Sequence, residues 1–491
     1  MSLASRLRPL AVLLPLCVPA ASAPPLAAVL PVPAPAAALA GLRAQAPGPC
    51  RGRGADFDGD GAADAAAGAP YAAVGGQARA GRVAVRYGAR AGTPLVQAGD
   101  PPEAGDGFGA ALAIGDFDRD RCADLAVGVP DEVSGARRPG AEGHGAVQIF
   151  HGSPAGLRPG RRLSVRDLRR PYGTDRFGAA LAAADLDGDR DDELVVGAPG
   201  LAGGGGVAVF GLDGTGLRPG PLVTQRSGWA GQEGREGREA APTDGFGTVL
   251  AAADLDGDGR AEIAAGAPGD GLKSEGAVTV LDPRARTARR VAQDEPGIGG
   301  VPERLDHFGA ALAAGDFDRD GRAELAIGIP GEDDDPGAAT GDAQGAVQVV
   351  DGRTLRQRGP TLYGRGAKGP YDRFGAALAA GDLTGDGTDD LAAGAPGHGY
   401  VRILRGARGG GPGRRGGVTI TSPHGPEAQF GWSLAVRRGA LLVGAPGAAG
   451  FGGAVTAVAG SGPRGTAVPL EAGGLLGYAL GQAGWRANRA R

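Results

Sequence analysis

The chain is poor in most of what builds a conventional large core. Aromatic side chains make up 4% of its 491 residues, methionine occurs once and cysteine three times. Such a composition excludes a single thick core of bulky side chains and suits many short strands joined by tight turns. Lysine is nearly absent, with Lys273 and Lys368 as its only occurrences. Arginine is therefore the working cation, and it is mixed with acids to a net charge of −4. No basic block follows from this pattern, which argues against nucleic acid as a partner. Five histidines, His144, His151, His307, His398 and His424, are scattered, and neither G-x-S-x-G nor H-E-x-x-H occurs. His307 is expected to be solvated. The sequence reads as a non-enzyme.

The first residues have the layout of a secretory signal. Arg6 and Arg8 precede an apolar stretch from Leu10 to Val18, and Ala21-Ser22-Ala23 offers small residues for cleavage. The expectation is a signal peptide over 1–23, a Pro/Ala-rich linker over 24–49 and a folded region over 50–491. No later apolar run is long enough for a membrane span, so the mature chain is expected to be secreted. Beyond Cys17, the cysteines Cys50 and Cys122 either pair in an oxidising compartment or stay as isolated thiols.

What is abundant is glycine, 96 residues, and it recurs in a repeat. Six segments place Asp at alternate positions and an acid at the ninth: DFDGDGAAD from Asp56, DFDRDRCAD from Asp116, DLDGDRDDE from Asp185, DLDGDGRAE from Asp254, DFDRDGRAE from Asp316 and DLTGDGTDD from Asp382. Each leads into a short apolar run ending in Gly-x-Pro. A seventh Gly-x-Pro, Gly444-Ala445-Pro446, lacks an acidic turn before it. Phe-Gly steps at Phe108, Phe177, Phe246, Phe308, Phe374 and Phe430 open the apolar run upstream. Downstream comes an alternating strand opened by glycine, as in Gly145-Ala-Val-Gln-Ile-Phe150. Strand, acidic turn, strand, loop, strand and a weaker outer strand, repeated radially, predict an all-β seven-bladed propeller with four-stranded blades. The first blade lacks its Phe-Gly strand, and Leu476-Gly477-Tyr478-Ala479-Leu480 echoes it at the other end. A C-terminal strand is therefore expected to close the ring and remove the exposed sheet edges.

The acidic turns have the donor set of a hard cation. In the first, Asp56, Asp58 and Asp60 each offer a carboxylate oxygen, Ala62 a backbone carbonyl and Asp64 both carboxylate oxygens, about six ligands before water. The same positions give Asp116, Asp118, Asp120, Cys122 and Asp124 in the second, and Asp185, Asp187, Asp189, Asp191 and Glu193 in the third. They give Asp254, Asp256, Asp258, Arg260 and Glu262 in the fourth, and Asp316, Asp318, Asp320, Arg322 and Glu324 in the fifth. The sixth has Asp382, Thr384, Asp386, Thr388 and Asp390. Cys122, Asp191, Arg260, Arg322 and Thr388 enter through backbone carbonyls, as Ala62 does. Oxygen donors without thiolate or imidazole favour Ca²⁺, up to six ions, over zinc or copper. An EF-hand is excluded by position twelve, where Ala67, Val127, Val196, Ala265, Ile327 and Ala393 carry no ligand. Arg121 and Arg190 stand at the sixth position, where a tight turn calls for a left-handed residue.

The Phe-Gly step, the Asp-rich turn and Gly-Ala-Pro together resemble the FG-GAP repeats of integrin α-subunits. That resemblance implies a seven-bladed propeller with Ca²⁺ in loops on one face. Acidic loops in six of seven blades are closer to bacterial secreted FG-GAP proteins. The longer insertions, 131–144, 226–244, 331–344 and 364–372, fall on the opposite face. They include Trp229 and the run Glu332-Asp333-Asp334-Asp335. Loops on a rigid scaffold commonly bind partners. The expected role is an adhesion-type module that binds an extracellular protein or glycan through that face. The alternatives are a hydrolase or lyase using the channel and a calcium-stabilised scaffold without a defined ligand.

Overall fold

The computed structural model describes Cys50 and residues 54–483 except 134–142, 171–172, 214–215, 226–228, 230–240, 242, 334–342, 365–370, 414–415, 438, 460–465, 468–478 and 481. The predicted signal and linker lie outside the described residues. Pro47–Arg491 forms one compact unit. No helix among the described residues is long and apolar enough to cross a membrane.

Seven antiparallel blades make up a propeller ring. Blade 2 shows the pattern. Its inner strand is Leu112–Gly115, its second strand Asp124–Val129, its third Ala146–His151 and its outer Arg158–Leu163. The acidic turn joins the first two. The second strands are buried on both faces in blades 1 to 6, which explains their unbroken apolar sequence. Outer strands such as Arg158–Leu163 are largely exposed and carry the polar residues.

Apolar packing is divided by seam. Seven buried clusters are found, each joining residues of two neighbouring blades around the whole ring. Phe108, Phe177, Phe246, Phe308, Phe374 and Phe430 are fully buried, one in each of six seams. The seventh seam, between blades 7 and 1, is packed mainly by alanines with Leu442, Val455 and Leu480.

The glycines of the two motifs meet across these seams. A Cβ on Gly328, the Gly-x-Pro glycine of blade 5, would collide with the carbonyl oxygen of Gly375, the Phe-Gly glycine of blade 6. Blades 1, 2, 3, 4 and 6 repeat this contact through Gly68, Gly128, Gly197, Gly266 and Gly394. The repeat signature is thus the imprint of two backbones approaching closer than any side chain allows.

Ala479–Leu480 pairs antiparallel with Ala65–Ala69 and supplies the inner strand of blade 1, as the sequence predicts. The chain then does something the repeat does not announce. Gln482–Ala483 pairs in parallel with the inner strand of blade 2, making that sheet five-stranded. Cys50 and Cys122 form a disulfide, which ties the start of blade 1 to the acidic turn of blade 2.

Candidate metal centres in the strand turns

The six turns share one backbone scaffold. The first aspartate accepts from the N–H of the sixth residue, as in Gly61 N to Asp56 Oδ2 at 3.0 Å. The fifth accepts from the seventh, as in Ala62 N to Asp60 Oδ1 at 2.7 Å. The ninth accepts from the second, as in Phe57 N to Asp64 Oδ2 at 2.6 Å. These contacts recur in every turn through the sixth, where Gly387, Thr388 and Leu383 are the donors. The fourth and sixth residues are left-handed throughout. Glycine suits both, yet Arg119 and Arg319 stand at the fourth and Arg121 and Arg190 at the sixth, all with positive φ, at a cost of about 1–2 kcal/mol each.

The carboxylates converge. Ligand atoms of Asp56, Asp58 and Asp64 lie within 4.8 Å of one another, as do those of Asp185, Asp187 and Glu193, and of Asp254, Asp256 and Glu262. In the second turn the groups are Asp116, Asp118 and Asp120, and Asp118, Asp124 and His151. Positions one, three and nine are thus brought together in turns one, three and four. In the second turn position five joins positions one and three, while position nine meets position three together with His151. The position-seven residues are fixed through their N–H groups.

Electrostatics favour a cation. Burial, followed by neighbouring carboxylates, pushes Glu193, Glu262 and Glu324 up to about 8. Asp64 rises to about 6, chiefly through burial. Asp56 Oδ1 is buried without a hydrogen-bond partner, on a residue 1% exposed. An orphaned carboxylate oxygen is costly unless something binds it. The donor set therefore fits a hard divalent ion.

Two kinds of site are distinguished by the ninth residue. Where it is Asp, its second oxygen accepts another N–H from beyond the third strand: Gly88 to Asp64 at 2.8 Å, Gly152 to Asp124 at 2.8 Å and Gly406 to Asp390 at 2.9 Å. At the corresponding places beside Glu193 and Glu262 stand Leu212 and Pro283.

Several neighbours were not foreseen from sequence. His151 Nδ1 lies 3.2 Å from Asp118 and 3.3 Å from Asp124, and those carboxylates hold its pKa up at about 10. Arg90 contacts Asp58 at 3.3 Å, and Arg358 contacts Asp318 and Glu324. Arg119 crosses to the third turn and pairs with Asp189 and Asp191. All come from other strands or blades, so spacing along the chain gives no signal. A legible signal was overlooked elsewhere: Asp106, Asp175, Asp244, Asp306 and Asp372 stand two residues before Phe-Gly and are all buried.

On the opposite face, most of the insertions lie outside the described residues, including Asp334 and Asp335. Trp229 is partly buried against the core between blades 3 and 4. His307 is not simply solvated. It is half-buried, left-handed at φ 54°, and its Nδ1 lies 3.1 Å from the Pro268 carbonyl oxygen.

With this geometry in place, the class is that of a β-propeller built on Phe-Gly and Gly-x-Pro seams. Residues 108–150, 177–210, 246–281, 308–350 and 374–420 match the FG-GAP repeat model. The chain is an FG-GAP repeat protein with an integrin-α-like β-propeller. It is 30% identical over 242 residues to integrin alpha-PS2 of Drosophila melanogaster, covering 46% of this chain and 15% of that protein. It is 35% identical over 163 residues to phosphatidylinositol-glycan-specific phospholipase D of Rattus norvegicus, covering 31% of this chain and 18% of that enzyme. The chain thus spans less than a fifth of either relative. A solved rhamnogalacturonan lyase, YesW, aligns with a TM-score of 0.37 at 16% identity over 73% of this chain and 56% of that one, too loose a fit to argue from.

Proposed function

We propose that this is a secreted calcium-binding propeller that engages an extracellular protein or glycan through the face opposite its acidic turns. The calcium assignment rests above all on the buried, unpartnered Asp56 Oδ1 within a ring of carboxylates. Asp56, Asp58 and Asp64, with the Ala62 carbonyl, would hold the first ion, and the turns at Asp185 and Asp254 would act alike. Bound calcium cancels the repulsion among these acids and fixes each turn between its strands. The Cys50–Cys122 disulfide accords with an oxidising compartment.

The binding face is supported by exposed apolar residues in its loops: Leu272 is 90% and Tyr371 59% exposed, with Leu305 nearby in the ring. The residues just before Phe-Gly are left-handed even where they are Arg176, Arg373 or Gln429. Strain of this kind collects at functional surfaces. The test is capture of partners from the native culture medium by calcium-loaded protein, compared with a variant carrying Leu272→Ala, Leu305→Ala and Tyr371→Ala. Loss of a captured partner without loss of melting temperature supports the reading. Equal capture by both proteins refutes the assignment of the face. The phospholipase D relatives favour a second reading as an extracellular hydrolase. Turnover of a phosphodiester substrate by the purified chain would select it.

A further inference from the structure

The six acidic turns are not equivalent, because one of them already contains a fixed cation. In the fifth turn Asp318 is 2% and Glu324 1% exposed. Arg358 reaches both. Its Nη2 pairs with Asp318 Oδ2, and its Nη1 lies 3.2 Å from Glu324 Oε1 and 3.6 Å from Asp351 Oδ2. The backbone places it there, since Arg358 N donates to the Val349 carbonyl at 2.7 Å, against the third strand. Asp351, directly after that strand, is the third carboxylate beside the guanidinium, next to the same Nη1 that meets Glu324. Of the two remaining acids, Asp320 at position five pairs with Arg322 at 2.6 Å, and Asp316 at position one accepts from the N–H groups of Asp320 and Gly321.

We propose that Arg358 is the resident cation of the fifth turn, which therefore takes up no calcium, so that the chain binds at most five ions. The inference rests on the reading of the acidic turns as calcium sites. Calcium needs its carboxylate oxygens at about 2.3–2.6 Å. An ion bound to Asp318 and Glu324 would sit against the guanidinium, divalent charge beside a charge that arginine cannot give up. Displacing Arg358 would break three carboxylate contacts at once.

Among the described residues, no arginine of another turn meets its third and ninth acids together: Arg119 pairs with Asp189 and Asp191 in the third turn, and Arg260 with Asp258 in the fourth. Arg90 makes one contact, with Asp58, and its side chain is 68% exposed, so it is free to turn into water. His151 meets two carboxylates through the single atom Nδ1, whereas Arg358 engages its acids through both Nη atoms.

The test is calcium titration calorimetry on metal-stripped full-length protein, reading ions bound per chain. Arg358→Gln is expected to bind one more ion than the wild type, and Arg358→Lys, which keeps the charge, to match the wild type. Glu324→Gln is expected to leave the number unchanged, while Glu262→Gln in the fourth turn lowers it by one. If Arg358→Gln does not fold, the contrast between Glu324→Gln and Glu262→Gln decides the matter. Loss of one ion in Glu324→Gln, or an unchanged number in folded Arg358→Gln, overturns the proposal. Absence of calcium binding in the wild type and in every variant overturns the reading of the turns, and the proposal with it.

Discussion

Replacing Gly328 by alanine tests the claim that the repeat signature records backbone contact across the blade seams. Gly328 has ordinary strand geometry within Glu324–Ile329, so alanine meets no conformational penalty there. The cost is steric. The added Cβ would collide with the Gly375 carbonyl oxygen and stand 3.1 Å from its carbon and 3.2 Å from Ala311 Cβ. Gly375 cannot retreat freely, because its N–H is bound to the Gly394 carbonyl at 2.9 Å. The seam between blades 5 and 6 must open, and overpacking of this kind costs about 1–3 kcal/mol or more. In a folded unit of this size each 1 kcal/mol moves Tm by only about 1 °C, so the expected result in differential scanning calorimetry is a fall in Tm of about 2–3 °C. Gly75→Ala is the control. Gly75 is left-handed at φ 57°, with nothing within 4 Å of an added Cβ, so alanine there costs about 1 kcal/mol from conformation alone. If Gly328→Ala melts within 1 °C of the wild type, or above Gly75→Ala, the steric account of the motif is wrong.

Two further outcomes follow from the structure. Removing the disulfide with Cys50→Ser and Cys122→Ser releases a constraint over a sequence separation of 72 residues. Loop-closure entropy puts the loss at about 4 kcal/mol, and a loss below about 1 kcal/mol in urea denaturation would contradict that estimate. Glu332 is 6% exposed, and its pKa is pushed up to about 7 by burial and then by Asp306, against the help of Gln293. Between pH 5 and 7.5 the native state therefore holds more protons than the unfolded chain, and stability falls as pH rises. Glu332→Gln should match the wild type near pH 5 and exceed it at pH 7.5 by up to roughly 3 kcal/mol. Parallel stability curves for the two proteins would refute this.

How much of this was legible in the sequence depended on repetition. The acidic turns, the Phe-Gly steps and the Gly-x-Pro steps recur in register, so one physical reading serves several blades. Leu480 could be placed in blade 1 because its neighbours echo a repeated strand. The parallel pair Gln482–Ala483 could not, since two residues carry no periodicity. Pairing of Cys50 with Cys122 stayed open because spacing along a chain says nothing about distance in space. Arg358 and His151 were invisible for a related reason. His151 reaches its turn from the end of the third strand and Arg358 from beyond it, through a register that exists only once the blade has formed. The buried aspartates before Phe-Gly were repeated plainly enough to be found, but their neighbourhood reads as polar loop.

The account stands or falls on whether the acidic turns hold calcium. The most direct measurement is thermal unfolding of protein first shown to be metal-loaded, with and without excess chelator. A site held at 100 times its dissociation constant stabilises the native state by about 2.7 kcal/mol, so several sites together should produce a large, calcium-reversible fall in Tm on chelation. An unchanged melting curve would contradict the assignment.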